Sequence, residues 1–111
     1  ELSHGEQRQL EIAMALATGP EVLLLDEPLA GMGSEESQQI VALLRELAAD
    51  HAILLVEHDM DAVFAVASVL TVMVNGAVLL SGSPNMVRAD HGVQAAYLGD
   101  VSAMPAEQAS V

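Results

Sequence analysis

Two continuous apolar runs, separated by stretches of helical periodicity, dominate the pattern of the chain. The runs at 22–25 and 52–56 predict two parallel strands that are buried on both faces of a sheet. Apolar residues at helical spacing predict helices at about 5–18, 34–49 and 59–67. This repetition of strand, polar tip and helix predicts a doubly wound α/β fold.

A hairpin is predicted after the third helix. Asn75 and Gly76 separate apolar runs at 69–74 and 77–81, and Asn-Gly is a strong signal for a two-residue hairpin turn. We expect this hairpin to add an antiparallel edge to the sheet.

Short helical segments are predicted after the hairpin. Ser83 precedes Pro84, which suits the first position of a helix, and a further helical turn is predicted at 93–98 before Gly99. Residues 101–111 lack periodicity, and we expect them to be disordered.

The composition excludes several classes of protein. Hydrophobic residues make up 52% of the chain, which is too many for an intrinsically disordered protein. Sixteen acidic residues against three basic ones give a net charge of −13, so the surface lacks the basic footprint that nucleic acids need. The absence of Cys excludes disulfides and thiolate metal sites.

Charged side chains follow both predicted buried strands. Asp26 and Glu27 end the first strand, and Glu57, His58 and Asp59 end the second. Ligands of open parallel sheets bind beyond the carboxyl ends of the strands, so these residues are expected at one site. One carboxylate could hold Mg²⁺ while the next accepts a proton from water, as nucleotide hydrolysis requires. Polar strand ends that only face solvent explain the pattern equally well.

The start of the first helix is a second candidate site. Ser3 and Glu6 have the spacing of a capping box, and Gly5 lies between them. The free N–H groups and the dipole of such a helix end attract anions. A Ser before a helix is, however, more often only a cap.

The motifs together resemble the C-terminal part of an ABC-transporter ATP-binding subunit. Residues 2–7, Leu-Ser-His-Gly-Glu-Gln, are similar to the signature motif, and 22–27 to the Walker B strand with its catalytic Glu. Residues 29–33 resemble the D-loop, and His58 the switch histidine. The resemblance covers roughly residues 2–99 and implies the α/β fold of P-loop NTPases, with a parallel sheet flanked by helices and a C-terminal antiparallel hairpin.

Within that family, two segments resemble the ATPases of branched-chain amino-acid transporters. They are 57–60, Glu-His-Asp-Met, and 96–100, Ala-Tyr-Leu-Gly-Asp. Urea transporters and other ABC importers are the alternatives. The resemblance implies an ATPase domain over 1–86, a C-terminal helical extension over 87–100 and the tail over 101–111.

The resemblance also implies a role for each site residue. Ser3 and Gly5, with Glu6 and Gln7 of the same motif, would contact ATP held by the opposite subunit of a head-to-tail dimer. In the ATP site of the chain's own subunit, the roles fall to three residues. Asp26 would support Mg²⁺ through water, Glu27 would polarise the attacking water, and His58 would contact the γ-phosphate.

The implied partners are those of a transporter at the cytoplasmic face of the membrane. They are a second ATPase subunit, identical or different, the transmembrane permease subunits and, indirectly, a periplasmic solute-binding protein. The implied ligands are ATP and Mg²⁺.

Some family features are missing or altered. No G-x-x-x-x-G-K-[ST] phosphate loop is present, so the Walker A half is missing and the chain alone is predicted to be inactive and poorly soluble. His4 stands where the family often has Gly, and Gly33 where many members have Asp. The alternative function is a non-hydrolytic interaction module that supplies only the signature surface. His51 and His91 are expected to be surface or capping residues.

Overall fold

The computed structural model describes residues 1–97, and the chain divides into two compact units, Glu1–Val66 and Ala67–Val111. The first unit contains α1 (His4–Leu16), β1 (Val22–Asp26), α2 (Ser34–Leu47), β2 (Ala52–Val56) and α3 (Met60–Val66). The second contains β3 (Leu70–Val74), β4 (Ala77–Gly82), α4 (Pro84–Ala89) and α5 (His91–Tyr97). Every predicted helix and strand is therefore present. Gly99 and the predicted tail over 101–111 lie outside the described residues, and the predicted domain boundary after residue 86 stays a prediction.

The sheet of the first unit is parallel. β1 pairs with β2 from Val22 opposite Ala52 to Asp26 opposite Val56. The pairing continues one step further, because the Glu27 N–H donates to the Val56 carbonyl at 2.7 Å. Parallel pairing in this register brings the carboxyl ends of both strands to the same edge, which confirms the predicted α/β class.

The prediction that these strands are buried on both faces is wrong. Leu23 is only 3% exposed, whereas its neighbour Leu24 is 72% exposed and Leu54, which pairs with Leu24, is 61% exposed. Successive side chains of a strand point to opposite faces, so one face is covered and the other is open. The poor solubility expected of the chain alone stays a prediction.

Helices cover the other face of the sheet. Ile40 and Leu44 of α2 are fully buried and form a core with Ile12 of α1, with other buried residues of this unit, Leu29 and Ala62, completing the cluster. Leu25, Ile53 and Leu55 of the strands pack against that core. The apolar stripe of each helix thus meets the covered face of the sheet.

The hairpin is present, but it is not an edge of the parallel sheet. β3 and β4 pair with each other as a separate two-stranded sheet. Asn75 and Gly76 have φ values of 52° and 78°, the left-handed conformation that a tight turn of this type requires. Leu70 and Val72 of β3 are buried, and α4 contacts both strands. The hairpin therefore buries its apolar side within its own unit.

Candidate functional site

The ends of β1 and β2 carry a paired carboxylate and imidazole. Glu27 follows β1 directly, in the left-handed region with φ of 51°, and His58 comes two residues after the end of β2. The Nδ1 atom of His58 lies 2.9 Å from one carboxylate oxygen of Glu27 and 2.7 Å from the other. The structure thus brings together the two residues for which the sequence predicted catalytic roles.

This pairing affects the pKa of the histidine. The hydrogen bond to Glu27 raises the pKa of His58 above its ordinary value, and the negative charges of Glu27, Glu57 and Asp59 raise it further. The His58 side chain is 76% exposed, so the ring remains accessible to a ligand. The strand ends therefore present an accessible imidazole, with a raised pKa, next to a carboxylate in a protein with few basic residues.

Glu57 is a residue of this site for which the sequence predicted no individual role. Its side chain is only 1% exposed. One oxygen, Oε2, accepts the Leu29 N–H at 3.3 Å, while Oε1 accepts the N–H groups of His58 at 3.0 Å and Asp59 at 3.4 Å. Leu29 is 28 positions away in the sequence, so no local pattern could have indicated this contact.

Asp26 and Asp59 are the chain neighbours of this pair, because Asp26 precedes Glu27 and Asp59 follows His58. Asp26 is the last residue of β1 and is exposed, while the Oδ1 atom of Asp59 accepts the Ala62 N–H at 3.2 Å and so caps α3. The structure thus assigns Asp59 to a helix cap.

The carboxylates present two possible arrangements for a divalent cation. Glu27, Glu57 and His58 have potential ligand atoms within 4.8 Å of one another. Mg²⁺ prefers oxygen ligands and keeps several water molecules, which does not suit a trio that includes an imidazole and a carboxylate already bonded to three N–H groups. The carboxylate of Asp26 fits Mg²⁺ better, because it is exposed and can act through water.

The start of α1 has a local cap. The Ser3 Oγ atom accepts the Glu6 N–H at 3.1 Å, and the Glu6 carboxylate accepts the Ser3 N–H at 3.0 Å. This second bond lowers the pKa of Glu6, with a smaller contribution from the Ser3 side chain. Gln7 turns its side-chain amide toward the Leu2 carbonyl at 3.5 Å. The predicted capping box is confirmed.

Gly5 and His4 make the long-range contacts of this segment. The Gly5 N–H donates to Oε2 of Glu36 at 2.7 Å, and a β carbon at Gly5 would lie 2.6 Å from that oxygen. The His4 ring lies beside Gly31, which has a φ of 78°. The predicted signature segment therefore rests on residues of the predicted D-loop and of the first turn of α2.

Three further residues singled out from the sequence lie at helix ends. The Nδ1 atom of His51 bonds to the Leu47 carbonyl at the end of α2, as expected of a capping residue, and His91 is exposed at the start of α5. Gly33 is the N-cap of α2 and provides no side-chain hydrogen bond. Among residues 1–97, no helix combines the length and apolar character needed to cross a bilayer.

Sequence comparisons connect these positions to known proteins. The family profile described as "ABC transporter" matches residues 1–30. The chain is 41% identical to the high-affinity branched-chain amino acid transport ATP-binding protein BraF of Pseudomonas aeruginosa, over 89% of this chain and 40% of that protein. The corresponding protein LivG of Escherichia coli K12 is 42% identical over the same shares, 89% and 40%. The chain thus spans about two fifths of the length of these curated relatives.

Solved structures share the fold. An ATP-binding cassette of an ABC transporter in its ADP conformation superposes with a TM-score of 0.78 and 33% identity, covering 90% of this chain and 41% of that one. A component of the ABC transporter complex cbiONQ from Clostridium perfringens superposes with a TM-score of 0.74 and 35% identity, covering 86% and 39%. Over the residues that match, the chain therefore belongs to the family of ABC-transporter ATP-binding proteins, as its motifs predicted.

Proposed function

We propose that the chain contributes to ATP binding and hydrolysis in an ABC importer for branched-chain amino acids. The observation that carries this proposal is the Glu27–His58 pair at the ends of two adjacent parallel strands, in a chain that belongs to this family. Carboxylate and imidazole at the carboxyl edge of an open α/β sheet lie where nucleotide ligands of such sheets bind.

Glu27 and His58 have complementary roles in the proposed reaction. A water oxygen bonds to the γ-phosphorus while the bond from that phosphorus to the bridging oxygen of ADP breaks. The Glu27 carboxylate accepts the proton that the water loses. When His58 is protonated on both ring nitrogens, its Nδ1–H donates to Glu27 and its Nε2–H is available to donate to a γ-phosphate oxygen. Asp26 would hold Mg²⁺ through water, and the ion when bound offsets the negative charge of the phosphates.

The start of α1 is proposed to act on the nucleotide of a second subunit. Among residues 1–97, no hydrogen bond or ion pair joins Ser3, Gly5, Glu6 or Gln7 to the strand ends. The lack of a direct bond between these two groups is consistent with a head-to-tail dimer in which each subunit completes the site of the other. The partner subunit can be a second copy or a different ATPase.

The names of the relatives support the solute, and the family resemblance supports the remaining partners. BraF and LivG are described as branched-chain amino acid transport ATP-binding proteins, which supports these amino acids as the solute. The chain would then act at the cytoplasmic face of the membrane, with permease subunits and, indirectly, a periplasmic solute-binding protein.

Replacing Glu27 by Gln in the complete gene product that carries this sequence tests the proposal. Because Gln cannot accept the proton, we expect ATP turnover to fall by about 100-fold or more while ATP binding persists. Glu46→Gln, an exposed position on α2, is the matched control and should leave turnover unchanged. Unchanged turnover in Glu27→Gln would refute the role of Glu27. Wild-type protein that binds an intact ABC ATPase only with ATP, and hydrolyses none, would favour the interaction module.

A further inference from the structure

Glu57 is a buried carboxylate that connects two loops at the ends of the parallel strands. Its Oε2 atom accepts the Leu29 N–H from the loop after β1, and its Oε1 atom accepts the N–H groups of His58 and Asp59 after β2. With 1% of the side chain exposed, almost none of this side chain is open to water. Both oxygens of one carboxylate therefore serve backbone donors that are far apart in the sequence.

A charged group in this position must be held by its partners. Burial of a carboxylate is costly unless donors surround it, and hydrogen bonds to a charged acceptor are stronger than neutral ones. Leu29 is itself buried, so its N–H group would have no water to bond to if Glu57 were removed. The two loops thus depend on the same side chain.

The position of His58 depends on this arrangement. Its ring is mostly exposed and is bonded to Glu27, so packing does little to hold it. Its backbone N–H is bonded to Glu57 at 3.0 Å, which holds the peptide from which the ring projects. The same carboxylate holds the first residue of the predicted D-loop, Leu29.

We propose that Glu57 is a positioning residue for ATP hydrolysis. It fixes the backbone of His58 so that the ring meets Glu27, and it joins His58 to the loop over 29–33. This inference rests on the proposed function. Glu57 itself does not touch ATP, water or Mg²⁺ in this scheme, and it acts through His58.

The Glu57→Gln variant tests whether Glu57 positions His58 for catalysis or only stabilises the fold. One end of the new side chain is an NH₂ group, which faces an N–H donor whichever way the amide is turned, so only one loop can be held. We expect kcat to fall by about 100-fold while KM for ATP stays within about threefold, because small misplacements of catalytic groups act on the chemical step. Glu46→Gln is the control for loss of one exposed carboxylate.

Glu57→Asp provides a second test if the Gln variant does not fold. Asp keeps the negative charge but is shorter by one methylene, so it cannot reach both Leu29 and the His58 peptide. We expect a loss in kcat similar to that of Glu57→Gln. Wild-type kcat in either folded variant would overturn the proposal.

A double-mutant cycle with His58→Ala decides whether Glu57 acts through His58. We expect Glu57→Gln to cost little further kcat once His58 is removed, because the effects of residues acting as one unit do not multiply. Independent, multiplying losses would overturn the proposal.

Amide hydrogen exchange at Leu29 and His58 measures the hydrogen bonds to Glu57 without any need for ATP turnover. We expect faster exchange of both amides in Glu57→Gln, and unchanged exchange would contradict the proposal. Failure of the proposed function appears separately, as absence of wild-type ATP hydrolysis.

Discussion

The ends of the parallel strands and the start of α1 are built in opposite ways. At the strand ends, Glu27 bonds to a residue 31 positions away and Glu57 to one 28 positions away. At the start of α1, Ser3 and Glu6 bond to each other across three positions. The first group exists only in the folded unit, whereas the second is a property of its own segment of chain. The two groups should therefore respond differently when single contacts are removed.

The hydrogen bond between Gly5 and Glu36 is an exception to this contrast, because it connects the start of α1 to α2 over 31 positions. Glu36→Ala removes a charged acceptor from the partly buried Gly5 N–H. We expect the free energy of unfolding to fall by about 2 kcal/mol, since hydrogen bonds to charged groups contribute about 1.5–3 kcal/mol. Chemical denaturation of the complete gene product measures this loss.

Glu35→Ala is the control for the Glu36 substitution, because Glu35 lies in the same first turn of α2 but is exposed. Its effect is expected to be within about 0.5 kcal/mol, as for other surface positions. Equal losses in the two variants would mean that the contact with Gly5 contributes nothing beyond the charge of the helix start.

The local cap of α1 is the next largest effect. Ser3→Ala removes the acceptor for the Glu6 N–H, and loss of such a cap costs about 1 kcal/mol. Thermal unfolding measures this cost. Ser34→Ala serves as the control, because Ser34 lies inside the start of α2, where the N-cap residue is Gly33. A Ser3 variant as stable as the wild type would show that the capping box does not stabilise the protein.

The shift in the pKa of His58 is the smallest expected effect, and it tests the strand ends alone. NMR titration of its ring should give a pKa above the ordinary histidine value, and Glu27→Gln should lower it. Because the pKa is raised on folding, the stabilisation is complete below the unfolded-state pKa. It disappears as the pH rises through the folded-state pKa. An unchanged titration in Glu27→Gln would mean that the pair does not form in solution.

Predictions from the sequence were most successful where the physics is local. The cap and the turn were predicted correctly, because each depends only on residues that are close in the sequence. The cap is formed by Ser3 and Glu6, and the turn by Asn75 and Gly76. The strands were located correctly, but their burial was not. Continuous apolar sequence is compatible with one covered face or two, and only the layers that pack on a sheet decide which occurs.

The amino-acid sequence by itself determined the α/β class, the order of the elements and the family, because periodicity, turn residues and motif spacing are properties of the linear chain. Tertiary structure alone decided that Glu57 joins the two strand-end loops and that Glu36 accepts from Gly5. The residues of those contacts are 28 and 31 positions apart in the sequence. They come close together only because the strands pair in parallel register and the helices pack on the sheet.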